Sequence, residues 1–309
     1  MTSEIDNPRS PVAIWLKRTF PNYAQTQSAY RAAAGVVKVL PTAAVALQTQ
    51  GSAIDWWLRF LIDSTPSVKI ARLGLRRLRQ HPCVAAGAEL LDQIAEAPPL
   101  SGRSAWRTDE WWARASYALA LLVEPVRTPM FEGSRLMQLR SGCDADALLA
   151  LANGDEVGDL ITMKSLASAR LLPLLPAGPV FSGATFDGSV DLNADADVIV
   201  GGVLVDFKAS RGGRPRQDGS RTGALARGDL YQLLGYVLLD YSDRYAIHTV
   251  AIYAARFGFL ASWPLPALCA TLAGRAVNLA ALRSEFRQLV RDELPEHWEG
   301  MRQARIAHS

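Results

Sequence analysis

The spacing of apolar residues divides the chain into two parts near residue 150. In the first part, apolar residues recur at the three-to-four-residue spacing that is typical of amphipathic helices. The clearest helical segments are Ile54–Ile62 and Tyr117–Val123, and an alanine-rich stretch over Ala24–Leu47 is broken by Pro41. We therefore predict a mostly helical N-terminal region over residues 1–150. We interpret its tryptophans as core residues rather than base-stacking ones.

One predicted helix of this region is strongly basic. The segment Lys69–Gln80 contains apolar residues at helical spacing, and five basic residues lie between them. This pattern predicts an amphipathic helix with a basic face. We interpret this face as solvent-exposed surface, and contact with DNA is the alternative.

Beyond Pro173 the pattern changes to short β-like runs. The proline-rich segment Leu171–Pro179 cannot continue a helix. The predicted elements then follow in this order: strands Pro179–Thr185, Ala196–Val200 and Val203–Lys208, helix Asp229–Leu239, strands Thr249–Ala255 and Phe259–Trp263, and a helical end from about Leu265. Gly201-Gly202 between two apolar runs predicts a hairpin, because a type I′ turn needs positive φ at both central residues. This order predicts a mixed α/β domain over residues 151–309.

Composition narrows the class of protein. The 309 residues are 49% hydrophobic and 20% charged, which is typical of a globular chain. No run approaches the roughly 20 apolar residues of a membrane helix, and the N-terminus lacks a signal-peptide pattern. We therefore expect no membrane partner and a cytoplasmic location. Three widely spaced cysteines exclude a disulfide framework and a four-cysteine metal centre.

The Gly201-Gly202 hairpin brings charged residues together at its open end. Folding the chain about these glycines sets Val198 opposite Val205 and Asp197 opposite Asp206. Lys208 lies on the same face, because side chains alternate along a strand. Two carboxylates and one ammonium should therefore meet at one edge of the sheet.

Two buried carboxylates this close repel each other, and a divalent cation removes the conflict. Mg²⁺ is commonly held by a few oxygen ligands with several water positions left open. Lys208 can orient water or stabilise developing negative charge. The pattern favours metal-assisted phosphodiester hydrolysis, with Mg²⁺ or Mn²⁺ as the cofactor.

In this context Asp197, Asp206 and Lys208 resemble the signature of the PD-(D/E)xK nuclease superfamily. The resemblance covers about residues 150–265 and implies a restriction-endonuclease-like αβββαβ core of the α/β (α+β) class. It also implies that the backbone carbonyl of Phe207 completes the metal shell. Asp195 is the alternative for the first acidic position.

Gln232 and Tyr236 strengthen this resemblance. They are four residues apart on one helix face, and they are similar to the QxxxY motif of RecB-type relatives of the superfamily. The resemblance further implies an acidic residue from the helix before the first strand. Glu156 is the first candidate for it and Asp159 the second.

A basic loop follows Lys208 directly. It contains four arginines among glycines and a proline, and we interpret it as a clamp for phosphates that does not read sequence. The predicted nucleic-acid-binding residues are Arg211, Arg214, Arg216 and Arg221.

Together these features predict a metal-dependent nuclease that acts on nucleic acid, with DNA as the first candidate, in bacterial defence or in recombination and repair. The alternative is a non-catalytic nucleic-acid-binding or protein-interaction module on a nuclease-like core. The helical N-terminal region is available for a protein partner or a second copy of the chain.

Overall fold

Helices form most of the chain before the first strand, as the apolar spacing predicts. A computed structural model describes residues 1–96, 107–127 and 133–306. The helices in this part are α1 (Thr2–Asp6), α2 (Pro11–Thr19), α3 (Ala24–Ala34), α4 (Leu47–Ile62), α5 (Lys69–Arg77), α6 (Cys83–Glu96), α7 (Asp109–Arg127), α8 (Ala145–Leu149) and α9 (Gly154–Arg170). The alanine-rich stretch forms a shorter helix than predicted, because Gly35 ends α3 with φ of 67°.

A five-stranded mixed sheet occupies the second part. Its elements are β1 (Val180–Thr185), β2 (Asp195–Val200), β3 (Val203–Lys208), α10 (Arg227–Leu239), β4 (Thr249–Ala254), β5 (Phe259–Pro264), α11 (Leu265–Ala273), α12 (Leu279–Gln288) and α13 (Leu294–Ile306). The strands lie in the order β1-β2-β3-β4-β5, and β3 and β4 are the parallel pair, joined through α10. The predicted order of strands and helices is therefore confirmed.

The hairpin of β2 and β3 forms at the predicted glycines. Gly201 and Gly202 have φ values of 52° and 81°, and the predicted pairs up to Val198–Val205 are present. The ladder ends at that pair, so the predicted backbone pairing of Asp197 with Asp206 is wrong. The Phe207 N–H donates instead to the Asp197 carboxylate, and the two strands separate at this point.

Helices cover both faces of the sheet and form two hydrophobic cores. Residues such as Val198 and Val205 face a core built with α4, α6, α7 and α9. Ile199 and Leu204 face a second core built with α2, α3 and α10–α12. Both cores contain residues from before and after residue 150, so the two predicted regions share them. No helix in the described ranges is long and apolar enough to cross a membrane.

Candidate active site

A cleft of about 900 Å³ opens where β2 and β3 separate. Its walls come from the ends of these strands, from one face of α4, and from α10 and the loop after β3. It brings together most of the residues predicted from the sequence: Asp197, Asp206, Phe207, Lys208, Arg211, Arg221, Gln232 and Tyr236. The side chains that the sequence pattern singled out thus converge on one concave surface.

Asp206 is the one carboxylate of β3 and is buried, with 2% of its surface exposed. Burial raises the pKa of its carboxyl; Lys208 opposes this rise, and Asp197 adds to it. Lys208 Nζ lies 2.8 Å from Oδ2 of Asp206 in an ion pair. The Lys208 ammonium is therefore the cation that balances this buried carboxylate.

The side chain of Asp197, a residue of β2, lies where β2 and β3 separate and accepts hydrogen bonds from two sides. Its Oδ2 accepts a hydrogen bond of 2.7 Å from the Phe207 backbone N–H, and its Oδ1 accepts one of 3.0 Å from Arg59 Nη2. In an extended strand the N–H and C=O of one residue point to the same side, so the Phe207 carbonyl faces the same gap. This arrangement places a carboxylate and a carbonyl beside Asp206.

Lys208, Gln232 and Tyr236 form a continuous chain of hydrogen bonds. Lys208 Nζ donates to Gln232 Oε1 at 2.9 Å, and Gln232 Nε2 donates to the Tyr236 hydroxyl at 2.7 Å. The four-residue spacing on α10 produces this contact, as predicted. Burial raises the pKa of Tyr236, and Asp206 and Asp197 raise it further. The phenol is therefore held in its protonated form beside the carboxylates.

The cation of Lys208 is fixed by several oxygens. Besides Asp206 and Gln232, Asp229 Oδ1 in the first turn of α10 lies 3.5 Å from Nζ. Burial works against the ammonium, but Asp206 and Asp229 outweigh it and raise the pKa of Lys208. The amine is thus held as a permanent positive charge at the edge of the cleft.

Helix α4 adds an ion pair to the cleft that the sequence reasoning missed. Arg59 donates to both oxygens of Asp55 at 2.8 Å as well as to Asp197, and 3% of the arginine surface is exposed. Gly183 leaves room for Arg59, because a Cβ there would lie 3.0 Å from its guanidinium. The four-residue spacing of Asp55 and Arg59 could have indicated a helical ion pair, but not its position beside β2.

The charges of the cleft are arranged by depth. Asp55 and Asp206 are buried, whereas Arg127 and Arg211 are exposed and Arg221 is partly exposed. Arg221 Nη1 donates to the Gly213 carbonyl at 2.8 Å and anchors the basic loop. Arg214 and Arg216 are exposed on this loop but do not line the cleft. The loop therefore contributes two of its four predicted arginines directly.

The donor set around Asp206 fits a hard divalent cation in composition. Two carboxylates and a backbone carbonyl are oxygen ligands of the kind that Mg²⁺ prefers, and each carboxylate has more than one lone-pair direction. Within the described ranges, no group of three or more His, Cys, Asp or Glu side chains is arranged to hold a metal ion. The site therefore offers few protein ligands, and water would complete the shell.

Comparison with known proteins assigns neither a family nor a function to the chain. No family model, no characterised protein and no solved structure matches the chain. The function must therefore be inferred from the geometry of the cleft and from the residues that line it.

The structure does not bring Glu156 to this cleft. Glu156 is fully buried, caps the start of α9 together with Asn153, and accepts hydrogen bonds from Arg135 and Tyr117. The other candidate, Asp159, forms a two-bond ion pair with the buried Arg256. Both acids form contacts that hold α9 in place, and neither lines the cleft.

Proposed function

We propose that the chain is a metal-dependent nuclease that hydrolyses phosphodiester bonds of nucleic acid, with DNA as the first substrate to test. The observation that carries this proposal is the cleft itself. Asp197 and Asp206 lie beside a permanently charged Lys208, and Gln232 and Tyr236 continue the polar surface. Such a constellation is typical of sites that bind a cation against a phosphate.

The order of elements supports the same proposal. Helix α9 precedes three antiparallel strands, and α10 then leads to β4, which is parallel to β3. This is the order that the resemblance to the PD-(D/E)xK superfamily implies. We accordingly propose that the sheet and its flanking helices α9 and α10 form a restriction-endonuclease-like core.

The residues of the chain have separable roles in this proposal. Asp197, Asp206 and the Phe207 carbonyl would hold Mg²⁺ or Mn²⁺. The chemistry supplied by the bound metal is Lewis-acid polarisation of a phosphoryl oxygen. Lys208 orients a water molecule for attack or stabilises the negative charge that develops on the phosphate. Tyr236 keeps its proton, so it can donate a hydrogen bond to the phosphate or to that water.

The exposed arginines complete the site as phosphate contacts. Arg211 and Arg221 line the cleft, and Arg214 and Arg216 extend the basic surface along the loop. Such contacts position the backbone and carry no sequence information. A nuclease of this kind would act in the cytoplasm in bacterial defence or in recombination and repair.

A second candidate function is favoured by one specific observation. Arg59 already neutralises Asp197, so the acids have an internal cation that competes with a metal. A core of this kind could bind nucleic acid without cleaving it. This alternative predicts DNA retention that depends on salt but not on metal.

The first experiment compares the two functions directly. Labelled single- and double-stranded DNA and RNA are incubated with the wild-type chain in Mg²⁺, in Mn²⁺ and in EDTA. We expect cleavage in the metal-containing reactions and intact substrate in EDTA. Intact substrate under all conditions, with salt-sensitive binding, would instead establish the binding module.

The Glu156→Gln variant tests whether the buried acid of α9 is structural. Loss of its charge weakens the contacts with Arg135 and Tyr117, so we expect the free energy of unfolding to fall by about 1–3 kcal/mol. The cleavage rate below the melting temperature should stay within about twofold of wild type, because the side chain does not reach the cleft. Denaturant unfolding and the cleavage assay measure the two quantities. A large loss of cleavage rate with an unchanged free energy of unfolding would instead indicate that Glu156 acts in the active site.

A further inference from the structure

Helix α5 presents a basic surface that the proposed reaction does not use. Ala71, Gly74 and Leu75 form its buried side. A Cβ at position 74 would lie 1.7 Å from the Leu122 carbonyl oxygen, so α5 packs very closely on α7. The opposite side carries exposed basic residues throughout, namely Lys69, Arg72, Arg76 and Arg77, and Arg79 lies two residues beyond the end of the helix.

None of these five cations forms an ion pair with a carboxylate within residues 1–96, 107–127 and 133–306. The sequence also has no acidic residue between Asp63 and Glu89. Arg77 differs, because its Nη1 donates to the carbonyls of Pro125 and Val126 at the end of α7. Lys69, Arg72 and Arg76 therefore form a row of uncompensated charge, which we call the α5 basic face.

The α5 basic face begins at the candidate active site. Ile70, in the first turn of α5, lines the cleft together with Val126 and Arg127. At the other end of the helix, residues 76–82 and Met137 line a second groove of about 690 Å³. Lys69 and Arg76 are seven residues apart, which spans about 10 Å along a helix, or about three nucleotide steps of one DNA strand. The charges thus continue outward from the point where a bound strand would leave the cleft.

We propose that the α5 basic face binds the sugar–phosphate backbone of the nucleic acid that occupies the cleft. The choice of nucleic acid as partner rests on the proposed function. The location of the contact is supported by charge complementarity with phosphate and by the continuity of the α5 basic face with the cleft. Contacts of this kind raise affinity for any sequence alike. They also give the N-terminal region a role in holding the substrate.

Two other occupants fit the surface less well. A membrane-surface helix inserts its apolar side into lipid, but the apolar side of α5 is packed against α7. Single-strand recognition relies on stacking of bases on accessible aromatic rings, but Trp56, Trp57 and Trp112 are buried. The exposed side of α5 offers charge and one exposed leucine, Leu73.

The test replaces the three cations together and compares the variant with a charge-matched control. The first variant is Lys69→Gln/Arg72→Gln/Arg76→Gln. The control is Arg170→Gln/Arg275→Gln/Arg287→Gln, which removes three exposed arginines of α9, the α11–α12 loop and α12. Binding of short fluorescent DNA duplexes of two unrelated sequences is measured in EDTA over a range of salt concentrations, and thermal unfolding checks that both variants fold.

We expect the α5 variant to bind both duplexes about tenfold more weakly or worse, and the control to stay within about twofold of wild type. The slope of log K against log salt should decrease by about 2.7 in magnitude, because each phosphate contact contributes about 0.9. Equal affinities of the α5 variant and the control would overturn the proposal. So would a loss confined to one duplex sequence, or a wild-type chain that binds neither duplex.

A parallel cleavage assay in Mg²⁺ separates this proposal from the proposed function. If the wild-type chain cleaves but its α5 variant binds DNA like wild type, the nuclease proposal stands and the proposed role of the α5 basic face is refuted. If the wild-type chain does not cleave but its α5 variant loses duplex binding, the role of the α5 basic face stands and the nuclease proposal is refuted.

Discussion

Replacing Asp206 by asparagine is expected to reduce metal-dependent cleavage by roughly 10²–10³-fold, the range seen when one electrostatic group of an active site is removed. Asparagine has nearly the same shape but no charge, so it holds a divalent cation poorly and leaves Lys208 without its nearest carboxylate. Burial raises the pKa of Asp206, so loss of its charge relieves a desolvation cost, whereas Lys208 loses its nearest ion-pair partner. These two effects on stability oppose each other, so thermal unfolding of the variant is measured beside its cleavage rate.

Asp195→Asn is the matched control for this measurement. Asp195 lines the same cleft and lies on the same hairpin, but it is half-exposed and forms no ion pair within the described ranges. We expect its cleavage rate to stay within about tenfold of wild type, because the half-exposed Asp195 carboxylate forms no ion pair with a cation of the cleft among the described residues. An Asp206→Asn chain that cleaves as fast as the Asp195→Asn chain would contradict the role given to Asp206.

Replacing Arg59 by methionine is expected to lower the free energy of unfolding by about 3–5 kcal/mol, because removal of one partner leaves buried carboxylates uncompensated. Asp55 and Asp197 both depend on this guanidinium. In a metal-binding cleft, millimolar Mg²⁺ should recover part of the loss, because the cation replaces the missing positive charge. The melting temperature with Mg²⁺ and with EDTA measures both effects.

Arg127→Met provides the comparison for this variant. Arg127 also lines the cleft, but it is exposed and donates a hydrogen bond to the Ser52 hydroxyl. Its replacement should change the free energy of unfolding by no more than about 0.5 kcal/mol. If Arg59→Met is equally destabilised in Mg²⁺ and in EDTA, the acids of this cleft do not bind that metal.

Local patterns in the sequence predicted the order of the strands and helices after residue 150, and several of their bounds. The glycine pair between two β-branched runs specified the hairpin, and β3 has the predicted bounds of Val203 and Lys208. The contact of Gln232 with Tyr236 also follows from helical spacing alone. These features depend on neighbours within a few residues, so a single sequence contains the information.

The features that the sequence did not predict depend on distant segments. Arg59 reaches Asp197 across 138 positions of the chain, and no local spacing indicates such a contact. The separation of β2 from β3 also escaped prediction, because turn symmetry alone continues the pairing to Asp197 and Asp206. Glu156 is paired with Arg135, which lies 21 positions before it in the chain, and the local pattern of α9 does not indicate this contact.

The position of α4 has a consequence for how the chain maintains its cleft. The same helix contacts the strand that carries Asp197, supplies Asp55 to the cleft wall, and places Arg59 behind it in contact with both acids. Its other side contributes Trp57 and Leu58 to the core that covers the sheet. Any fluctuation that loosens this helix therefore disturbs the charge balance and the packing at once, so chemical competence and cooperative stability are properties of the whole chain rather than of its strand-rich half.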